Sequence, residues 1–366
     1  METPLQLIHE TARARMGTYF GVTLPAEFDG TAAEWRRARE TAGLFDTNYH
    51  TVFTLTGPDR ARYLNAITSG DIRGLAPGRG TPGLLLNAQG HILAELETFA
   101  EEDRFLVLTH ASMASRTYET LDKFIIMDDC SLSDATGDWG TCALEGPRAG
   151  VALAAVSGVA LAELPLFGHR AAEIAGANCR VLRRSYFDLP GAEILAPRAA
   201  MAAVWEAAKK AVLAASGGLI GWEAVNALRI EAGMRWFGCD FDDTVIPQEA
   251  GLEQTHISYT KGCYTGQEIV ERVRSRGKLN RWLVRLEFSE TAARELGAKL
   301  ESDGKTWGNV TSCGFSPAQE KYIGFGYLRR EQSEVGTVLT CGGGTARVTQ
   351  SPASGPKNYF HPQSCG

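Results

Sequence analysis

The run Lys261-Gly262-Cys263-Tyr264-Thr265-Gly266-Gln267-Glu268 gathers reactive and conformationally special residues within eight positions. Thr265 and Glu268 have the Thr-x-x-Glu spacing of a capping box, which predicts a helix starting just after Thr265. Ile269, Val270 and Val273 then share one face of that helix, with Glu271, Arg272 and Arg274 toward water. Cys263 would precede the helix N-terminus and follow Lys261 by two residues, so the helix dipole and an ammonium would both favour thiolate over thiol. A lone cysteine is also a common small buried hydrophobe, and the spacing leaves both readings open. Gly262 and Gly266 point to special backbone angles or to close approach of something to the chain.

Other charged residues stand where chemistry is conceivable. Glu193 lies in Gly191-Ala192-Glu193-Ile194, and Glu95 closes Gly90-His91-Ile92-Leu93-Ala94-Glu95. In Leu228-Arg229-Ile230-Glu231-Ala232-Gly233 a period of 3.6 puts Arg229 beside Val225 and Gly233, with Glu231 on another face. That pattern fits either an ion pair at a helix end or the wall of a channel. Arg272, Arg274, Arg276, Lys278 and Arg281 form a basic run that is either a solvated face or a contact for an anionic tail, a phosphate or RNA. Gly342-Gly343-Gly344 lacks the following Lys-Ser/Thr of a phosphate loop.

The elements that must position these residues read as α+β. After a short helix and loop over residues 1–34, a helix spans Trp35 to Ala42 with Gly43 as a left-handed C-cap, and a strand spans Thr51 to Thr56. A helix opening at Gly57-Pro58-Asp59 follows, then strands at Leu84–Leu86, Ile92–Phe99 and Phe105–Thr109, and a helix from Ser112 to Phe124. Thr141–Glu145, Arg180–Ser185 and Ala192–Leu195 read as strands, and helices run from Arg198 to Ala215 and from Trp222 to Ala232. Beyond about residue 279 the grammar changes to short strands between glycine-containing turns, which is that of a small β-barrel. Residues 351–366 read as a polar tail.

Composition sets the class. With 366 residues, 44% hydrophobic and 22% charged, the chain is a globular protein of two or three domains. A net charge of -6 argues against general nucleic-acid binding. The cysteines at 130, 142, 179, 239, 263, 313, 341 and 365 form no Cys-x-x-Cys pair, which points to a reducing compartment. The first fifteen residues lack an apolar targeting core, and no apolar run reaches the ~18 residues needed to span a bilayer. The expectation is a cytoplasmic protein without membrane partners.

The eight-residue run, with Leu228 to Gly233, Ile246-Pro247-Gln248-Glu249-Ala250-Gly251-Leu252 and Arg276-Gly277 in order around it, resembles the signature of YgfZ-type folate-binding proteins. These form a branch of the superfamily of the glycine-cleavage T-protein, or aminomethyltransferase. The resemblance implies three domains in a ring: residues 1–50 plus 142–240, residues 51–141 plus 241–278 carrying the motif, and a barrel over 279–350. It implies tetrahydrofolate or a derivative as cofactor, with Glu193 gripping the pterin edge and Arg229, Tyr264, Gln267 and Glu95 as further contacts. It also implies a role in iron–sulphur cluster assembly or repair. Cys263 would be the functional thiol and a transient metal ligand at most, with Lys261 beside it. Partners would be iron–sulphur proteins or cluster assembly factors, with radical-type tRNA modification enzymes among them. The aspartate pair that T-protein enzymes carry after Gly-Gly is absent, leaving Glu95 one methylene longer, and their Asp-x-Ser-His reads Asp46-Thr47-Asn48-Tyr49. Those departures argue against ordinary aminomethyl transfer, and a folate-dependent one-carbon transferase or demethylase with Glu95 as the acid is the alternative.

Overall fold

The computed structural model describes residues 3–351, so the expected tail lies outside the described residues except for Ser351. The chain is mixed α+β, as the sequence pattern predicts, and has the three domains that the resemblance implies. One six-stranded sheet runs in the order His169–Ile174, Ala177–Arg183, Gly191–Pro197, Trp139–Glu145, Gly43–Asp46, Gly218–Leu219, and only its last pair is parallel. The helix Met201–Ala214 lays Val204, Trp205, Ala208 and Val212 on it, successive spacings of one, three and four that keep them on one face. A five-stranded antiparallel sheet takes its strands from the interval between: Gly80–Leu86, Ile92–Ala100, Arg104–His110, His50–Thr56, Ser131–Asp134. The first sheet therefore draws on residues from both sides of the second.

The third unit is a closed barrel, with Arg281–Phe288 pairing to both Lys321–Arg329 and Gly344–Gln350, and Lys305–Ser316, Lys299–Ser302 and Val338–Cys341 completing the ring. Val284, Leu286 and Phe288 alternate inward, and closure leaves no sheet edge exposed.

Several local expectations need correction. Residues 15–27 are a hairpin, Arg15–Tyr19 with Val22–Glu27, and not a loop. Its two-residue turn uses Phe20 and Gly21 at φ 53° and 80°, a conformation normally announced by Asn-Gly. Phe20 adopts it because its ring packs 4.2 Å from Tyr49 in a buried aromatic group with Trp222 and Trp236. Gly43 does not cap a helix. The helix Thr31–Glu40 ends at Thr41, and Gly43 opens a strand where a Cβ would fall 2.5 Å from Ile220. The strands His169–Ile174 and Lys299–Ser302 were not expected from the pattern, because each has only one or two fully buried residues to mark a period of two.

Candidate functional site

The motif helix begins at Gln267, capped by Gly266 at φ 84° with no side-chain hydrogen bond, so the Thr265–Glu268 capping box does not form. Glycine is required there, since a Cβ would stand 2.7 Å from the Asn87 carbonyl and 2.9 Å from Leu86. Cys263 lies four residues before the first helical residue and is exposed. The Lys261 ammonium is held by backbone carbonyls. Its Nζ donates to the carbonyls of Asn65, Thr68 and Gly70 at 2.6, 2.6 and 2.7 Å, gathering the end of the helix Arg60–Ile67. Burial lowers this lysine to about 8. Tyr264 is buried in the core beneath the motif, and the Gln267 side chain accepts from the Tyr264 amide at 3.2 Å. Tyr264 and Gly266 thus pack the loop against the five-stranded sheet, and Lys261 ties it to the end of the helix Arg60–Ile67. Lys261→Met should lower stability by roughly 2 kcal/mol, the worth of hydrogen bonds from a charged donor. The reading is a lower urea midpoint at unchanged slope, and an unmoved midpoint would show that the three bonds contribute nothing.

The chemistry gathers elsewhere, where the two sheets meet. Glu193 is fully buried, and its carboxylate accepts from Thr47 Oγ1 (2.8 Å), His50 Nδ1 (2.8 Å), Arg184 (2.8 Å) and Tyr186 Oη (3.1 Å). Burial alone would raise its pKa, but His50, Arg184 and these hydrogen bonds outweigh burial and hold it at about 2. Arg184 also reaches Glu97 at 2.7 Å and lies 4.3 Å over the Tyr186 ring. The loop that carries Tyr186 is fixed by Glu145, whose buried carboxylate accepts from the amides of Tyr186, Phe187 and Leu189 and from Ser185 Oγ.

Beside this cluster is a cavity of about 140 Å³ lined by Pro82, Glu95, Phe167, Met234, Leu252 and His256 among others, most of its wall apolar. Glu95 projects from Ile92–Ala100, and its Oε1 is 2.9 Å from His256 Nε2, while Oε2 is 3.8 Å from His110 Nε2. Thr255 Oγ1 is 2.7 Å from His256 Nδ1 and fixes the ring. Burial would raise Glu95, but the His256 hydrogen bond, with His256 and Arg184 attracting the anion, outweighs it and leaves Glu95 below the usual carboxylate range. Burial depresses His110 to about 4, with His50 and Arg184 assisting against the pull of Glu95, so at neutral pH this imidazole is uncharged. A wall that pairs an ionised carboxylate with an oriented histidine can hold or pass a proton next to an apolar slot.

Of the residues the sequence singled out, only Glu95 lines this cavity. Arg229 is 1% exposed and forms an ion pair with Asp240, which itself accepts from the Trp236 amide and from Thr311 Oγ1 of the barrel. It ties the helix Trp222–Ala232 to the barrel. Glu231 accepts from Trp35 Nε1 and Ser316 Oγ, so no Arg229–Glu231 pair forms. In the basic run, Arg274 pairs with Glu271 and Arg281 with Glu249. His256, Arg184 and Glu97 were not anticipated. Glu97 was findable, because Glu95-Leu96-Glu97 puts two carboxylates on one face of a strand. Arg184 and His256 meet the strand from distant segments that no local pattern connects to it.

A three-domain α+β scaffold with an acid–histidine pair on the wall of an apolar slot between its first two units is the class that the geometry defines. A family model described as the GCVT N-terminal domain matches residues 5–259, and one described as the glycine cleavage T-protein C-terminal barrel domain matches residues 281–353. The chain belongs to the glycine-cleavage T-protein family. An aminomethyltransferase of Prochlorococcus marinus is 29% identical over 347 residues, covering 91% of each chain. An aminomethyltransferase of Picosynechococcus sp. is 28% identical and covers 98% of this chain and 97% of its own. Among solved structures, the glycine cleavage system aminomethyltransferase T of Bartonella henselae superposes with a TM-score of 0.84 at 26% identity, over 98% of this chain and 99% of that one.

Aminomethyltransferases of this family bind tetrahydrofolate, and a folate derivative is the cofactor class here. The slot fits such a group: apolar walls that include Phe167 suit a ring system, and Glu95 and His256 offer it polar partners. Glu193 is not among the residues lining this cavity, and its carboxylate is hydrogen-bonded to Thr47, His50, Arg184 and Tyr186. Among the described residues no group of His, Cys, Asp and Glu is arranged to hold a metal ion, and no helix is long and apolar enough to cross a membrane.

Proposed function

We propose that this chain is a tetrahydrofolate-dependent one-carbon transferase that takes its carbon from an aminomethyl or N-methyl amine. The observation that carries the reading is the Glu95–His256 pair on the wall of the apolar slot. Tetrahydrofolate, when bound, supplies the nitrogen that accepts the carbon. As the bond from the carbon to the donor amine breaks, Glu95 Oε2, the oxygen that His256 leaves open, would take the proton lost by the accepting nitrogen and return it to the departing amine, with His256 steadying the carboxylate through Oε1. The apolar walls exclude water from the exchange. The test is incubation with tetrahydrofolate and a panel of methylated and aminomethylated amines. Amine turnover that needs tetrahydrofolate supports the reading, and none across the panel would count against it.

A second reading, membership of the narrower YgfZ-type branch with a role in cluster assembly or repair, is favoured by the exposure of Cys263 in its signature run. In that reading the partners are iron–sulphur proteins, cluster assembly factors or radical-type tRNA modification enzymes, because a single thiol cannot hold a cluster. Native-state maleimide labelling should modify Cys263 and Cys239 and spare the buried Cys142, Cys179 and Cys341. In cells lacking their own family member, rescue of cluster-containing enzymes by the wild-type chain but not by a folded Cys263→Ala would favour this second reading, and equal rescue by both would count against it.

A further inference from the structure

Both ring nitrogens of His256 are engaged, and their partners differ in what they can offer. Nε2 is 2.9 Å from Glu95 Oε1, and an ionised carboxylate only accepts, so this contact needs the proton on Nε2. Nδ1 is 2.7 Å from Thr255 Oγ1, an atom that can donate or accept. The Leu252 carbonyl is 3.4 Å from the same hydroxyl, beyond the usual span of an O–H···O bond. The hydroxyl proton therefore goes to the nearer Nδ1, which must itself be bare. Glu95, Thr255 and His256 all line the slot, so this chain of bonds borders the space that a ligand would fill.

The place of the ring proton decides which oxygen of Glu95 can take another. With Nε2–H donating to Oε1, a proton arriving at the carboxylate settles on Oε2, the oxygen that His256 leaves open. With the ring proton on Nδ1, a bare Nε2 would face Oε1 at 2.9 Å, and the arriving proton would be held between those two atoms, away from the exchange. His110 Nε2, at 3.8 Å from Oε2, is beyond hydrogen-bond reach and does not compete.

We propose that Thr255 is a positioning residue for the transfer: its hydroxyl donates to His256 Nδ1, holds the ring proton on Nε2, and so keeps the exchanged proton on Glu95 Oε2. The protons balance as in the step above. The accepting nitrogen loses one, Oε2 carries it and the departing amine gains it, while His256 and Thr255 keep theirs. This role rests on the folate reading, but the arrangement of protons that it requires is a property of the chain without ligand.

The experiment joins ¹⁵N NMR of the imidazoles in the full chain, with His256→Gln used to assign the His256 signals, to steady-state kinetics with tetrahydrofolate and an amine that turns over. Melting temperatures are measured for every variant. Wild-type His256 should show a bare, hydrogen-bonded Nδ1 and a protonated Nε2 at neutral pH. In Thr255→Val, which removes the donor and keeps the shape, the Nδ1 signal should move as that bond is lost. Its kcat should fall about tenfold with KM held, the worth of one hydrogen bond. Thr255→Ser keeps the hydroxyl and should restore both the signal and the rate, which loss of local packing would not do. A protonated Nδ1 in the wild-type chain, or a folded Thr255→Val with the wild-type signal and kcat, overturns the role of Thr255 while the folate reading stands. A folded wild-type chain that binds no tetrahydrofolate overturns both.

Discussion

Glu95→Gln is expected to slow one-carbon transfer by about 10²–10⁴-fold, the range that a positioned acid or base supplies. The substitution keeps the size of the side chain and an acceptor for His256 Nε2, so the 2.9 Å contact survives while the ability to take a proton is lost. The fall should appear in kcat with KM little changed, since Glu95 acts on a proton and His256 and the apolar wall stay in place. His256→Gln should reproduce part of the loss, as the partner that orients the carboxylate. A Glu95→Gln enzyme with wild-type kcat would remove Glu95 from the chemistry and turn attention to Glu97.

The second large effect concerns stability. Arg229→Ala should destabilise the chain by roughly 3–5 kcal/mol, the usual result of removing one partner of a buried ion pair. Asp240 would keep a buried carboxylate with Thr311, Ser312 and the Trp236 amide as donors and no countercharge. The Arg229 guanidinium also lies 3.9 Å over the Trp236 ring, so stacking is lost with the charge. The loss should loosen the barrel against the helix Trp222–Ala232, leaving folate affinity of the folded fraction unchanged. A melting temperature equal to wild type would show that the junction is held by other contacts, such as Asn226 to the Cys313 carbonyl.

Both predictions turn on residues that the sequence placed correctly in elements and incompletely in space. Periodicity located the helix Trp222–Ala232 to the residue and the strand carrying Glu95 to within one, because each has a clean burial pattern and a glycine or turn at its end. Arg229 looked like a ligand contact because a buried arginine and a channel arginine carry the same local signal; Asp240, eleven residues on, decides between them. Glu193 was assigned to the pterin edge by the resemblance of Gly191-Ala192-Glu193 to the family's pattern, since its place on the strand Gly191–Pro197 gives no such sign. Its partners, however, come from residues 47, 50, 184 and 186, and only the fold assembles them. The Thr265–Glu268 cap failed for a steric reason: the tight packing of Gly266 against Asn87 and Leu86 sets the start of that helix, and side-chain capping has no part in it.

The Glu95–His256 wall and its slot are the centre of this account, and transfer of a carbon label tests them most directly. An amine that turns over would be prepared with ¹³C in its aminomethyl or methyl carbon, mixed with tetrahydrofolate and enzyme, and followed by ¹³C NMR. Label is expected to move onto tetrahydrofolate with the wild-type chain and with Cys263→Ala at equal rates, and at least about 100-fold more slowly with Glu95→Gln. Label that never leaves the amine, or that leaves it equally fast without Glu95, would contradict it.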